Sequence, residues 1–149
     1  MLPGELDEYL HRNIPLSAAM QVRAVSVSAS EVVLSAPLAP NINHRQTLFG
    51  GSATALAILA AWSFLHLRLE AEGLAHRLVI QRQTMSYDAP VTGTVTAHGR
   101  LAPAADWAHA METFARRGKA RIEAEAELRF GAIIAGRMTA DFVALRAAA

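Results

Sequence analysis

The spacing of apolar residues changes along the chain, and each change marks an element. Leu6, Tyr9, Leu10 and Ile14 share one face at helical spacing, which predicts a short amphipathic helix over 5–14, limited by Pro15. Residues 20–27 are rich in Val. Over 31–38, Val32, Leu34, Ala36 and Leu38 alternate with Glu31, Val33, Ser35 and Pro37, so both stretches read as strands, with Ser28-Ala29-Ser30 as the hairpin turn. Residues 40–49 are polar and irregular and read as a loop. Gly50-Gly51-Ser52 then opens an apolar segment that runs to Leu69 without a further Gly, a Pro or an acidic residue. Its length suits a helix better than a strand. It is apolar on nearly every face, as expected for a helix enclosed by other structure.

After Gly73 the period returns to two. Residues 78–87 have strand composition and end at Asp88-Ala89-Pro90. Val95, Ala97, Gly99 and Leu101 alternate with Thr94, Thr96, His98 and Arg100. Asp106 is placed to cap a short helix reaching Arg117, with Trp107, Met111, Phe114 and Ala115 on one face. Ile122, Ala124, Ala126, Leu128 and Phe130 alternate with Arg121, Glu123, Glu125, Glu127 and Arg129, and a last strand covers 133–145 with Gly136 as a candidate bulge. Strands with one apolar and one polar face belong to an antiparallel sheet covered on one side. Only the 50–69 helix is apolar enough to be that cover. The expected fold is α+β: one domain over 1–149, a curved antiparallel sheet wrapped around a long central helix.

Composition narrows the function classes. The 149 residues are 52% hydrophobic and 18% charged, a balance that disfavours disorder and fits one domain. A net charge of +1 leaves no electrostatic footprint for nucleic acid. The absence of Cys excludes disulfides, thiolate metal sites and a Cys nucleophile. The acidic N-terminus lacks a signal layout, and the apolar run falls short of the roughly 20 residues that span a bilayer. A cytoplasmic protein is expected, with no membrane partner. His11 and His109 sit in amphipathic helices, and His66, His76 and His98 show no ligand spacing with one another, so no metal or cofactor is expected. Thirteen Arg against the single Lys119 reflect composition bias.

The loop and helix start carry a motif. Asn41-Ile42-Asn43-His44-Arg45-Gln46-Thr47-Leu48-Phe49-Gly50-Gly51-Ser52 resembles the N-x-N-x-x-x-T-x-F-G-G-S signature of the YiiD C-terminal-domain family of thioesterases. Trp62 within the helix, Tyr87-Asp88-Ala89-Pro90 after the third strand and the order of elements fit the same family, from the first helix to Phe142. The resemblance implies a hot-dog fold. It also implies hydrolysis of acyl-thioesters, with acyl-CoA or an acylated carrier protein as substrate, by a homodimer or dimer of dimers with its sites at the subunit interface.

Thioester hydrolysis needs a polarised carbonyl, an attacking water and a proton acceptor. Gly50 and Gly51 can supply the first, because N–H groups at a helix start have no internal partner and lie at the positive dipole end. Tight helix–sheet packing is their plainer role. Ser52 can cap the helix or hydrogen-bond a water, capping being the commoner task. The base is harder to assign. Many hot-dog thioesterases carry an acid on the central helix, at a position that falls near Ile58 here, yet residues 41–69 contain no Asp or Glu. Asn43 matches the loop Asn that orients substrate or water in related thioesterases, or it is an Asx-turn residue. His44 is a general base or a solvated loop side chain. Phe49 and Tyr87 are candidates for lining the acyl pocket, Tyr87 alternatively being a half-buried strand aromatic. Asp88 belongs to a turn or reaches a site from the facing subunit. Arg117, Lys119 and Arg121, with Arg116, fall in the region that contacts CoA phosphates in relatives, or form a solvated helix end. Glu123, Glu125 and Glu127 read as solvent-facing. The competing function is a non-catalytic acyl-CoA or acyl-carrier binding module.

Overall fold

The computed structural model describes residues 1–148. In chain order the elements are α1 (Pro3–Asn13), α2 (Pro15–Ala19), β1 (Arg23–Val27), β2 (Val32–Ala36), a 3-10 turn (Ala39–Asn41), α3 (Gly50–Ala71), β3 (His76–Tyr87), β4 (Val95–Leu101), α4 (Trp107–Arg117), β5 (Lys119–Phe130) and β6 (Ile133–Arg146). The strands form one sheet in the order β1-β2-β4-β5-β6-β3, every neighbouring pair antiparallel. One face of the sheet packs on α3. The apolar members of each alternating strand, such as Ala97 on β4 and Ile122, Ala124, Ala126 and Leu128 on β5, meet Leu56, Ala57, Ala60 and Phe64 there. By length and composition α3 is the one helix among the described residues able to cross a membrane, but here it is the buried core helix.

α3 is held close by β4. A Cβ on Gly99 would lie 2.3 Å from the Ala60 carbonyl carbon and 2.5 Å from the Ala61 nitrogen. Only a residue without a side chain lets the helix backbone come this near, and Ala60 and Ala61 keep the facing surface small.

The first third differs from the periodicity in detail. Pro15 stops α1 as expected, but its fixed φ also opens α2, a five-residue helix with no periodic signature of its own. The first strand therefore begins at Arg23 rather than residue 20: Gln21 adopts φ 57° and the Val22 N–H bonds Ser17 O at 3.0 Å, which closes a turn. The second strand ends at Ala36, before Pro37. Near the start of β6, Leu128 pairs with Gly136 and Arg129 with Ile134, so the extra residue is Ala135 and not Gly136. The carbonyl of Ala135 accepts the N–H groups of Asp88 (2.8 Å) and Ala89 (3.2 Å). The bulge thus anchors the segment that follows β3, beside the start of α3.

Candidate active site

The site grows from the bare N-terminus of α3. Phe49 is its N-cap, in extended conformation, and no side chain caps the helix. Ala53 is the first residue to donate back, to Phe49 O at 3.0 Å. The N–H groups of Gly50, Gly51 and Ser52 precede that bond, so Ser52, expected as a cap, is instead the third residue inside the helix. A 22-residue helix ending in free N–H groups favours a negative charge at this point.

The preceding loop is held by its own asparagines. Asn41 is buried, and its Nδ2 donates to Met20 O (2.9 Å) and Pro37 O (2.8 Å) while its backbone carbonyl accepts the Phe49 N–H. Asn43 Oδ1 accepts from the N–H groups of Arg45 (2.9 Å) and Thr47 (3.1 Å), and Nδ2 donates to Thr47 Oγ1 (2.9 Å) and Leu48 O (3.3 Å). Both ends of the Asn43 amide are therefore occupied in the turn, the Asx arrangement among the two expected for it. Leu48 N–H bonds Val91 O at 2.9 Å and ties the loop to the far side of the site. His44, at the turn, is exposed.

Two aromatics flank the helix start. The Phe49 ring lies over Gly51, where an added Cβ would stand 2.4 Å from Cε2. Tyr87 packs against Gly50, and its hydroxyl lies 2.6 Å from Thr54 Oγ1 and 3.4 Å from Gly50 O. Tyr87 is 60% exposed, more than the half-buried strand position expected of it. Between Tyr87 and the helix a cavity of about 360 Å³ is lined by Gly50, Ala53, Tyr87, Asp88, Pro90 and Leu128, among others. Asp88 is the carboxylate in that wall. Its Oδ2 accepts from Ser86 Oγ at 3.2 Å.

Arg117, Lys119 and Arg121 are exposed and stand apart from this cavity. Lys119 pairs with Leu145, beside the start of β3, whereas the cavity lies at Leu128, beside the end of β3. Nine residues of strand separate the two, roughly 30 Å at 3.3 Å per residue. The basic group and the helix start are at opposite ends of the sheet.

A second cluster was hidden in the sequence. His66 and His76 come together at the far end of α3, with Nδ1 of His66 3.0 Å from Nε2 of His76. Tyr9, Trp62 and His66 form a cluster of near-parallel rings, the last two stacked with centroids 4.7 Å apart. Burial and the neighbouring His76 lower the His66 pKa, against a raising pull from Glu70. The outer sheet face carries an ion network in which the buried Glu127 meets Arg129 (2.6 Å), Arg137 (3.5 Å) and Arg100 (3.6 Å). The hydrogen bond from Arg129 holds the Glu127 carboxyl below the ordinary range.

A curved antiparallel sheet around one long helix, with an uncapped helix start opening on a pocket, is the hot-dog architecture of thioesterases. A thioesterase from Haemophilus influenzae has this fold, with a TM-score of 0.79 at 13% identity over 98% of this chain and 92% of that one. The family described as "Putative thioesterase (yiiD_Cterm)" matches residues 4–146, and the chain belongs to that family. A protein of unknown function from Chlorobaculum tepidum is similar at 30% identity, with a TM-score of 0.89 and 98% of each chain covered. A putative thioesterase from Shewanella oneidensis is similar at 28% identity, with a TM-score of 0.85 and 96% of each chain covered.

Proposed function

We propose that the protein hydrolyses acyl-thioesters, of CoA or of an acylated carrier protein, at the start of α3. The observation that carries this reading is the uncapped Gly50–Ser52 turn facing a pocket, in a chain of a thioesterase family. The thioester carbonyl oxygen takes the helix N–H groups, which are fixed before substrate arrives and so stabilise the developing oxyanion without reorganising. Tyr87 and Phe49 flank the acyl group. Asn43 positions: it holds the turn that sets the direction of the helix start. Asp88, in the cavity wall, accepts the proton of the attacking water, with His44 as the competing base.

The active unit is a homodimer joined along the open edge of β3. An antiparallel pairing of two β3 strands reverses one subunit on the other, so the basic end of one lies beside the helix start of its partner. Arg117, Lys119 and Arg121 then reach the phosphates of a CoA whose thioester lies in the facing site. A cytoplasmic location, where such thioesters are made, goes with this reading.

Release of free thiol from acyl-CoA of graded chain length tests the proposal. Wild-type protein turns over. Gly51→Val blocks close approach and lowers kcat by about 10²-fold or more, the loss of an oxyanion donor. Asp88→Asn lowers it by about 10²–10⁴-fold, the range of general-base catalysis, while His44→Ala stays near wild type. The reverse pattern moves the base to His44. Wild-type rates in both Gly51→Val and Asp88→Asn would place the chemistry elsewhere. The binding-module reading rests on the absence of any carboxylate on α3 before Glu70. It predicts that acyl-CoA binds and no thiol appears.

A further inference from the structure

We propose that His66, Glu70 and His76 form a binding site for a single divalent transition-metal ion of the zinc class, about 16 residues along α3 from the proposed active site. His66 and Glu70 are four apart on α3 and so share one helix face. His76 is the first residue of β3, which returns across the turn at Gly73. One ligating atom from each lies within 4.8 Å of the other two.

The details favour a metal over a plain histidine pair. His76 Nδ1 donates to Leu74 O at 2.8 Å, which leaves the Nε2 lone pair directed at His66. A backbone carbonyl fixing one ring nitrogen while the other ligates is the usual second layer of a metal-bound His. The two facing nitrogens are 3.0 Å apart, against about 3.3 Å expected across a tetrahedral zinc with bonds of 2.0–2.1 Å, so a small ring rotation admits the ion. To ligate, His66 moves its proton from Nδ1 to Nε2, a change of tautomer that neither adds nor removes a proton. The His76 side chain is 1% exposed and held in place, whereas Glu70 is 59% exposed, its Oε1 3.9 Å from His76 Nδ1, and turns toward Nε2 to close on the ion. His66 and Glu70 line a cleft of about 660 Å³ that gives an entry path and leaves a fourth position to water. Two imidazoles and one carboxylate suit Zn²⁺, Co²⁺, Ni²⁺ or Cu²⁺ rather than Mg²⁺ or Ca²⁺, which prefer all-oxygen shells.

Protein freed of metal by chelation and dialysis is titrated with ZnCl₂ by calorimetry, and with CoCl₂ by visible absorption. One Zn²⁺ per chain and the intense absorption of a four-coordinate Co²⁺ are expected. Glu70→Gln changes only an exposed side chain and keeps the fold, and it weakens Zn²⁺ binding by at least the roughly 10–100-fold that loss of a supporting residue costs a metal site. His76→Gln does so more severely, and the exposed His109→Ala leaves affinity unchanged. Equal affinity in wild type and Glu70→Gln would overturn the three-residue site, as would a loss shared by His109→Ala or the absence of stoichiometric binding. Thioester hydrolysis plays no part in these readouts, so the site stands or falls apart from the proposed activity.

Discussion

His98 is enclosed on the outer face of the sheet, where its Nδ1 has no hydrogen-bond partner and Glu31 Oε1 stands 3.8 Å away. Burial and then Arg129 lower its pKa, outweighing the pull of Glu31 and Glu127. His66 is lowered for the related reason of burial beside His76. A histidine whose folded pKa is below the unfolded value of about 6.5 stays neutral in the native state and gains a proton more readily on unfolding. Above 6.5 it adds no pH dependence. As pH falls below 6.5, the unfolded chain binds more protons and stability drops. Glu127 acts at more acid pH: its depressed folded pKa gives stability that is present above its unfolded value and lost as pH falls through the folded one. Unfolding free energy by urea should therefore decline in two stages from pH 7 to pH 3. His98→Gln should flatten the first stage, and an unchanged slope between pH 7 and 5.5 would show that the ring titrates as it does in water.

At the level of elements, the crossing of α3 over β4 is the tightest joint. Gly99→Ala places a methyl group against helix backbone, which cannot move aside as a side chain can. Overpacking of this kind costs typically 1–3 kcal/mol, and backbone as the obstacle puts the expected loss at about 3 kcal/mol, read as a fall in Tm. Asp106→Ala should cost about 1 kcal/mol, because Asp106 Oδ1 accepts the His109 N–H at 3.0 Å as the cap of α4. That cap was legible, as was each long element, because the period of burial is written into the local sequence. The order of strands was not. Alternation says which residues face inward but not which strand lies beside which, so the insertion of β4 between β2 and β5, and the pairing of β3 with β6, emerged only in three dimensions. The helix start was visible as Gly50-Gly51, a chemical pattern with one geometry. For Asn43 the sequence left two roles open, because spacing identifies a turn but not its hydrogen-bond partners, and the structure shows the Asx turn. The His66–Glu70–His76 cluster had a partial signature in the four-residue step along α3, and its third member arrives only because β3 folds back.

For the whole molecule, β3 is decisive. It pairs with β6 on one side and leaves the other side of a 12-residue strand open, with Val79 and Ile80 exposed. Long unpaired edges with apolar side chains invite another strand. In the proposed dimer, a second copy in antiparallel register covers the edge and completes two sites together. Sedimentation should give a mass at least twice 16.0 kDa at micromolar concentration. Val79→Asp with Ile80→Asp should yield a folded monomer that has lost thioester hydrolysis. A monomeric wild type, or a monomeric variant with full activity, would remove the two-subunit site.

The aromatic cluster at the far end of α3 also has an optical consequence. Trp62 lies face to face with His66, whereas Trp107 sits under the guanidinium of Arg68, 4.2 Å from its ring. A neutral imidazole leaves indole emission largely intact, and an imidazolium or a bound open-shell ion takes up the excitation. Trp107→Phe should leave a protein whose remaining fluorescence reads the charge on His66 directly, dimming as acid protonates the ring and on addition of Co²⁺. The chain thus carries its own reporter at the point where its longest helix turns back into the sheet.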